Sequence, residues 1–131
     1  MAAVTAIRYL LANNANLIAA VPATRIMAGI LPQNTAVPAI GITHVSTTRL
    51  NPVAAPSVRF STSRVQVTVI ATTYPSQKSI LALVRAALPR SRGTVNGVNV
   101  DSILSDTEGP DFTNDAGLYI GSADFIVRFN E

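Results

Sequence analysis

The sequence predicts a single α+β domain in which a mainly antiparallel β-sheet is covered by helices on one face. Three observations support this fold class. Apolar and polar residues alternate from Arg64 to Thr72, which is the period of a strand with one buried face. After Pro75 the apolar residues recur every three or four positions, which is the period of an amphipathic helix. Asn96-Gly97 stands between valines and is typical of a tight hairpin turn.

The first elements along the chain are two short helices. Val4, Ile7 and Leu11 share one helical face. The Asn-rich stretch 13–16 is expected to end this helix, because Asn side chains compete for backbone hydrogen bonds. Apolar residues in front of Pro22 predict a second helix of one or two turns.

The next segments predict a strand and a protruding connection. A brief apolar piece at 26–31 precedes a strand over 37–48, in which Ile40 and Ile42 fall on one face. The segment 47–60 contains two prolines and has no clear period. We therefore expect a long connection between strands that extends from the domain as an arm.

The second half of the chain adds a helix and two further strands. The apolar stripe over 80–88 predicts a helix that Pro89 closes. After the hairpin turn, a strand is predicted over 98–104, a loop over 105–117 and a final alternating strand over 119–129. No repeat or linker divides this order of elements, so residues 1–131 are expected to form one domain.

The composition is poor in charge and in reactive groups. Charged residues make up 13% of the chain, against a usual share of about 25%, and the mean hydropathy is +0.34. So few charges favour a surface that is buried in an assembly over a composition that is merely rich in Ala, Val and Thr. The absence of cysteine excludes a disulfide framework, a thiolate nucleophile and a zinc knuckle.

The charges are divided along the chain. Residues 1–100 contain nine basic residues and no acidic one, whereas residues 101–131 contain seven acidic residues and Arg128 as their one base. Two arrangements are open. The division either steers a head-to-tail contact between copies, or the acidic segment folds beside the basic strands and neutralises them within one subunit.

The patterns of common enzymes and binding modules do not occur. His44 is the one imidazole, no G-x-S-x-G is present, and a place at a sheet edge or subunit contact is favoured over catalysis. The glycines form no phosphate-binding motif, and the acidic stretch that starts at Asp106 lacks the Gly and Glu of an EF-hand. No aromatic-basic platform for single-stranded nucleic acid is visible. We therefore expect no catalytic residue, no cofactor and no metal site.

The N-terminal region looks superficially like a signal peptide. It lacks a charged leading region, however, and Arg8 and the Asn-rich stretch 13–16 interrupt its apolar residues. No stretch approaches the roughly 18 apolar residues that a membrane-spanning helix needs. The expectation is a product that stays in the cytoplasm during assembly and has no membrane partner.

Five stretches carry a family resemblance: YLLANNANLIAAV, ILPQNTAVPAIGI, RVQVTVIATTYPSQKSILALVRAAL, GTVNGVNVDSIL and DAGLYIGSADFIVRF. Through them the chain resembles, over nearly its whole length, the tail-completion or tail-terminator proteins of long-tailed bacteriophages and prophages. The resemblance implies a structural virion protein, not an enzyme. It would close into a homo-oligomeric ring, expected to be a hexamer, at the head-proximal end of the tail. There it would stop growth of the tube and offer the head-tail joining surface.

The same resemblance implies the partners. These are further copies of the chain, the tail tube protein and the head-tail connector of the neck, with the sheath protein as a further candidate and DNA in the tail channel as a non-specific neighbour. The alternatives are a head-completion or neck adaptor and, in a different class, a small basic nucleic-acid-binding protein. The residues expected to contact partners are Arg49, Arg59, Arg64, Gln66, Asp106, Glu108 and Asp111.

Overall fold

The structure, a computed structural model, describes residues 2–29, 38–49, 60–88, 93–95, 98–109, 112–113 and 117–130. Three α-helices lie within these ranges: α1 (Ala2–Ala12), α2 (Ala15–Ala20) and α3 (Tyr74–Ala87). The strands within them are β1 (Ile26–Ala28), β2 (Ala39–Arg49), β3 (Phe60–Ala71), β4 (Gly93–Val95), β5 (Val98–Glu108), β6 (Phe112–Thr113) and β7 (Tyr119–Asn130). A 3-10 turn at Ala23–Arg25 leads into β1.

The strands form one sheet in the order β1-β2-β3-β7-β5-β4, and β6 pairs with β7. β1 is parallel to β2, and every other pairing is antiparallel. The three α-helices contact one another, and α1 and α3 contact the sheet. The predicted fold class, a mainly antiparallel α+β sheet with helices on one face, is confirmed.

β3 shows how the sequence builds the core. Val65, Val67 and Val69 are fully buried, whereas Gln66 and Thr68, which point to the other face, are half-buried. Because side chains alternate along a strand, one face of the sheet is apolar and packs against the helices. The helices and the other strands supply the rest of this core, which includes Val4, Ile7, Leu11, Ile80, Leu81, Val84, Phe125, Val127 and Phe129.

Two helices begin after a polar residue whose side chain caps the N-terminus of the helix. The Thr73 side chain accepts a hydrogen bond from the backbone N–H of Ser76, and Pro75 occupies the first turn of α3. Asn14 accepts from the N–H of Leu17 at 3.0 Å and starts α2. The Asn-rich stretch therefore both ends α1, as predicted, and caps the following helix.

α3 approaches the sheet closely at Gly121 of β7. A Cβ atom at this position would lie 2.6 Å from Cδ of Gln77 and 3.1 Å from Cδ1 of Leu81. Gln77 is fully buried against this part of the strand. Glycine is needed at 121 because the side chain of Gln77 fills the space that a Cβ would occupy.

The structure changes the predicted boundaries of several strands. The piece after Pro22 contains β1, and β5 continues to Glu108, so Asp106 and Glu108 lie in a strand. The predicted loop over 105–117 is therefore wrong at 105–108, and it is also wrong at 112–113, which form β6. The pairing of β5 with β7 shifts between Ser105 and Glu108. The end of the strand consists of polar residues, of which Ser105, Asp106 and Glu108 are exposed, so it resembles a loop in the sequence.

The predicted arm falls partly on strands. Residues 47–49 complete β2, and Phe60 begins β3. Residues 50–59 lie outside the described residues, so an arm over this shorter stretch stays a prediction.

Candidate assembly surfaces of the sheet

The face of the sheet opposite the helices, here called the open face, combines aliphatic and polar side chains. These side chains are half-buried, which means that they are in contact with their neighbours on the strands and still accessible to a partner. Alternation in β3, β5 and β7 places them on this side. The open face is formed by Gln66, Thr68, Ile70, Leu104, Ile120 and Ile126 with the charged Arg64 and Asp124.

The aliphatic residues of the open face occur as cross-strand pairs. Ile70 of β3 is opposite Ile120 of β7, and Leu104 of β5 is opposite Ile126 of β7. Apolar area interleaved with polar groups is the composition of a protein contact surface that must also tolerate water before assembly.

An ion-pair cluster lies between these aliphatic pairs. Nη1 of Arg64 lies 2.5 Å from Oδ2 of Asp106 and 3.2 Å from Oδ2 of Asp124. The hydrogen bond to Asp106 is the main reason that the pKa of Arg64 is raised above its ordinary value. Arg64 is therefore held in its charged form between two carboxylates from neighbouring strands.

Replacing Arg64 by alanine is expected to lower the melting temperature, because Asp106 and Asp124 would then face each other without the cation. The fall should be larger at low ionic strength than at high ionic strength, since salt screens repulsion between accessible charges. Thermal unfolding at two salt concentrations measures it. Arg128→Ala removes the same charge from an exposed position and is the control. A fall that does not depend on salt would contradict this explanation.

A second ion pair, between Arg85 of α3 and Glu108 of β5, links the helix layer to the edge of the sheet. Arg64 and Arg85 belong to the acid-free first part of the sequence, and their partners belong to the acidic last part. These basic residues are therefore neutralised within one subunit, as one of the two sequence arrangements predicted.

His44 lies in an exposed hydrogen-bond chain on β2. Its Nε2 is 2.5 Å from Oγ1 of Thr47, which is 2.8 Å from Oγ of Ser63. A hydrolytic triad needs the histidine to contact the nucleophile directly and an acid to orient the histidine. Here Thr47 lies between His44 and Ser63, so His44 and Ser63 do not form the direct contact of a triad. The position of His44 on a strand near the sheet edge agrees with the sequence expectation.

The structure also brings together an aromatic cluster that the sequence analysis missed. The rings of Tyr74 and Tyr119 are 6.1 Å apart in an edge-to-face arrangement, and Nζ of Lys78 lies 5.5 Å from the centre of the Tyr74 ring. Tyr119 is opposite Ala71 in the sheet, and Ala71 precedes Tyr74, the first residue of α3, by three positions. Only the antiparallel pairing of β3 with β7 shows that the two tyrosines meet.

The residues expected to contact partners lie in different parts of the structure. Arg64, Asp106 and Gln66 are on or beside the open face, and Glu108 faces the helix layer through Arg85. Arg49 is the last residue of β2. The remaining two, Arg59 and Asp111, lie outside the described residues.

No group of three metal-ligating side chains occurs in the part of the chain that the structure describes. Among the same residues, no helix is long and apolar enough to cross a membrane.

Comparison with known proteins identifies the family. A family model described as tail completion protein gp17 matches residues 5–130. A chain in a solved structure of the virion of a native gene transfer agent particle has the same fold, with a TM-score of 0.70 and 13% identity. The alignment covers 95% of this chain and 92% of that one. A second solved protein aligns with a TM-score of 0.57 and 16% identity, over 92% of this chain and 88% of the other.

No curated protein sequence matches the chain. The family match covers nearly all of the sequence, and the similar virion structure has the same arrangement of helices and strands. The chain therefore belongs to the tail completion protein gp17 family and is a structural protein of the virion tail.

Proposed function

We propose that the protein closes into a ring at the head-proximal end of a phage tail, stops growth of the tail tube and provides the surface that joins the head. The observation that carries this proposal is the open face, an aliphatic and polar surface on a chain with only 13% charged residues. Exposed apolar area of this kind, surrounded by polar residues, usually marks a site that a partner protein buries. The similar chain from a gene transfer agent virion supports the proposal, because it belongs to an assembled particle.

The physical requirement on a terminator is that its two sides differ. A contact between unlike surfaces of identical subunits either closes into a ring or continues as a filament. A ring whose one side fits the end of the tube, and whose other side does not, ends addition of tube subunits. The second side is then available to the neck. The partners in this proposal are other copies of the chain, the tube protein and the head-tail connector. The proposed role is structural and not enzymatic, because it requires only that the surfaces of these proteins fit together.

The mass of the protein in solution and negative-stain images, alone and with tube protein, test the proposal directly. We expect rings that are six-fold in their projection averages, as the resemblance to terminators implies, and tubes capped at one end. Particles that lack the protein should carry tails of irregular length. A strict monomer that neither binds tubes nor changes their length would overturn the proposal. Binding to the connector without any effect on tube length would instead favour a neck adaptor.

Replacing Ile126 by lysine is expected to weaken binding of the partner that covers the open face by about tenfold or more, because a charge would be buried against apolar surface. Sedimentation or a pull-down with tube protein measures the change. Ile18→Lys is the matched control, since Ile18 is exposed on α2 in the helix layer. Equal binding by the two variants would remove the open face from the proposed contact.

A further inference from the structure

Two strands of the sheet have outer edges that are only partly paired. β1 pairs with residues Ile40–Ile42 of β2, and β4 pairs with residues Val98–Val100 of β5. Within the described residues, no strand pairs with the outer edge of β2 over 43–49 or with that of β5 over 102–108. Unpaired backbone N–H and C=O groups on such edges are a template for addition of another strand.

The β2 edge also exposes an apolar side chain. The pairing of β2 with β3 shifts between His44 and Ser46, which leaves Val45 as the additional residue of a bulge. Val45 is 50% exposed. A free edge with an exposed valine is a surface that natural proteins usually cover.

The directions of the strands allow the two edges to join between copies. The long strands β2, β3, β7 and β5 are neighbours in the sheet, and each is antiparallel to the next. Their number is even, so β2 and β5 run in opposite directions. If the next copy is placed beside the first without being turned over, its β2 is antiparallel to β5 of the first copy. The alternating pattern of the sheet then continues across the contact.

The free segments also lie at the same level of the sheet. Thr48 is opposite Thr62, Thr62 is opposite Arg128, and Arg128 is opposite Ser102. By the same pairings, Ser46 is at the level of Leu104. Copies related by rotation in a closed ring lie at the same position along the ring axis. Free segments at the same level of the sheet are therefore able to meet between neighbouring copies.

The strand sequences at the two edges differ in charge, although Asp106 and Glu108 also pair with basic residues of their own subunit. The sequence of β5 contains three acidic residues and no basic one, whereas the elements from α1 to β2 contain basic residues and no acidic one. Nε of Arg8 donates a hydrogen bond to the carbonyl of Ile26 at the end of β2 that β1 covers, whereas the basic residue within the free segment of β2 is Arg49. Asp106 and Glu108 remain about one-third to nearly one-half exposed at the β5 side despite their ion pairs (33% and 44%). Such complementarity favours a contact between unlike edges.

We infer that the outer edge of β5 in one copy pairs antiparallel with the outer edge of β2 in a second copy, so that the sheets of neighbouring subunits join. The occupant of each free edge is therefore another copy of this chain. This inference rests on the proposed ring and specifies the contact that closes it. The even number of long strands makes the contact repeatable from each subunit to the next.

A cysteine cross-link tests this contact, because the chain contains no cysteine of its own. The double variant Thr48→Cys/Ser102→Cys is oxidised and run on a non-reducing gel. Within one chain, positions 48 and 102 are separated by three strand spacings, about 14 Å, which is too far for a disulfide. Directly opposite residues of paired strands have Cα atoms about 4.5–5.5 Å apart, which is within reach. We expect a ladder of cross-linked multimers that ends at the size of the ring.

A second variant and a control complete the experiment. Ser46→Cys/Ser102→Cys covers a pairing shifted by two residues, and Tyr9→Cys/Ile18→Cys places two exposed cysteines on the helices instead of the edges. The ladder should occur with one of the edge pairs and not with the helix pair. Rings that form by mass but cross-link with neither edge pair would overturn the inference and leave the proposed function intact. If the unmodified chain forms no ring, alone or on tubes, both are overturned.

Discussion

Replacing Phe125 by alanine is expected to lower the free energy of unfolding by about 3–5 kcal/mol, a large part of the stability of a domain of this size. Phe125 is fully buried at the centre of β7, where it is opposite Val65 of β3 and Ser105 of β5. Removal of its ring would leave a cavity between the sheet and the helices. Chemical denaturation monitored by circular dichroism measures the loss.

Two neighbouring changes are the controls for the Phe125 variant. Phe125→Leu retains an apolar side chain and should cost less than Phe125→Ala. Ile126→Ala removes an aliphatic group from the adjacent, half-buried position on the open face and should also cost less. If Ile126→Ala destabilised the isolated protein as much as Phe125→Ala, the assignment of the core to the helix-covered face would be wrong.

Replacing Gly121 by alanine is the second change with a large expected effect, about 1–3 kcal/mol of destabilisation. The new Cβ would overlap the side chain of Gln77, which is fully buried, and would press on Leu81. Either α3 moves away from the sheet or the Gln77 side chain leaves its position. The same unfolding measurement detects the loss.

A double-mutant cycle tests whether the loss of stability comes from the overlap with Gln77 or from a general sensitivity of β7 to substitution. Gln77→Ala removes the atoms that the new Cβ would meet, so the double variant Gln77→Ala/Gly121→Ala should lose less than the sum of the single changes. Additive losses would show that Gln77 is not the cause.

The sequence predicted the central elements because their patterns are strong and local. Val65, Val67 and Val69 alternate as a half-buried strand does, and Pro75 marks the start of α3. These signals arise from side chains that face one core, and a single sequence displays them directly.

The remaining features depend on contacts between distant parts of the chain. The approach of Tyr119 to Tyr74, and that of Asp106 to Arg64, follows from the order of strands in the sheet, which residue periodicity does not encode. The end of β5 was predicted as a loop because residues 105–108 are all polar, so the alternation of apolar and polar residues does not continue beyond Leu104. The open face was foreseen as the less apolar side of β3, but its aliphatic pairs on β5 and β7 required the register.

The middle of the sheet is regular and its flanks are not. β3 and β7 pair through twelve consecutive positions without a shift, whereas the pairing of β2 has one irregularity and that of β5 has two. A bulged strand is bent and more strongly twisted than a regular one. The consequence is one of shape: the central pair β3 and β7 is regular, whereas β2 and β5 contain the bends that set the curvature of the sheet at its two sides.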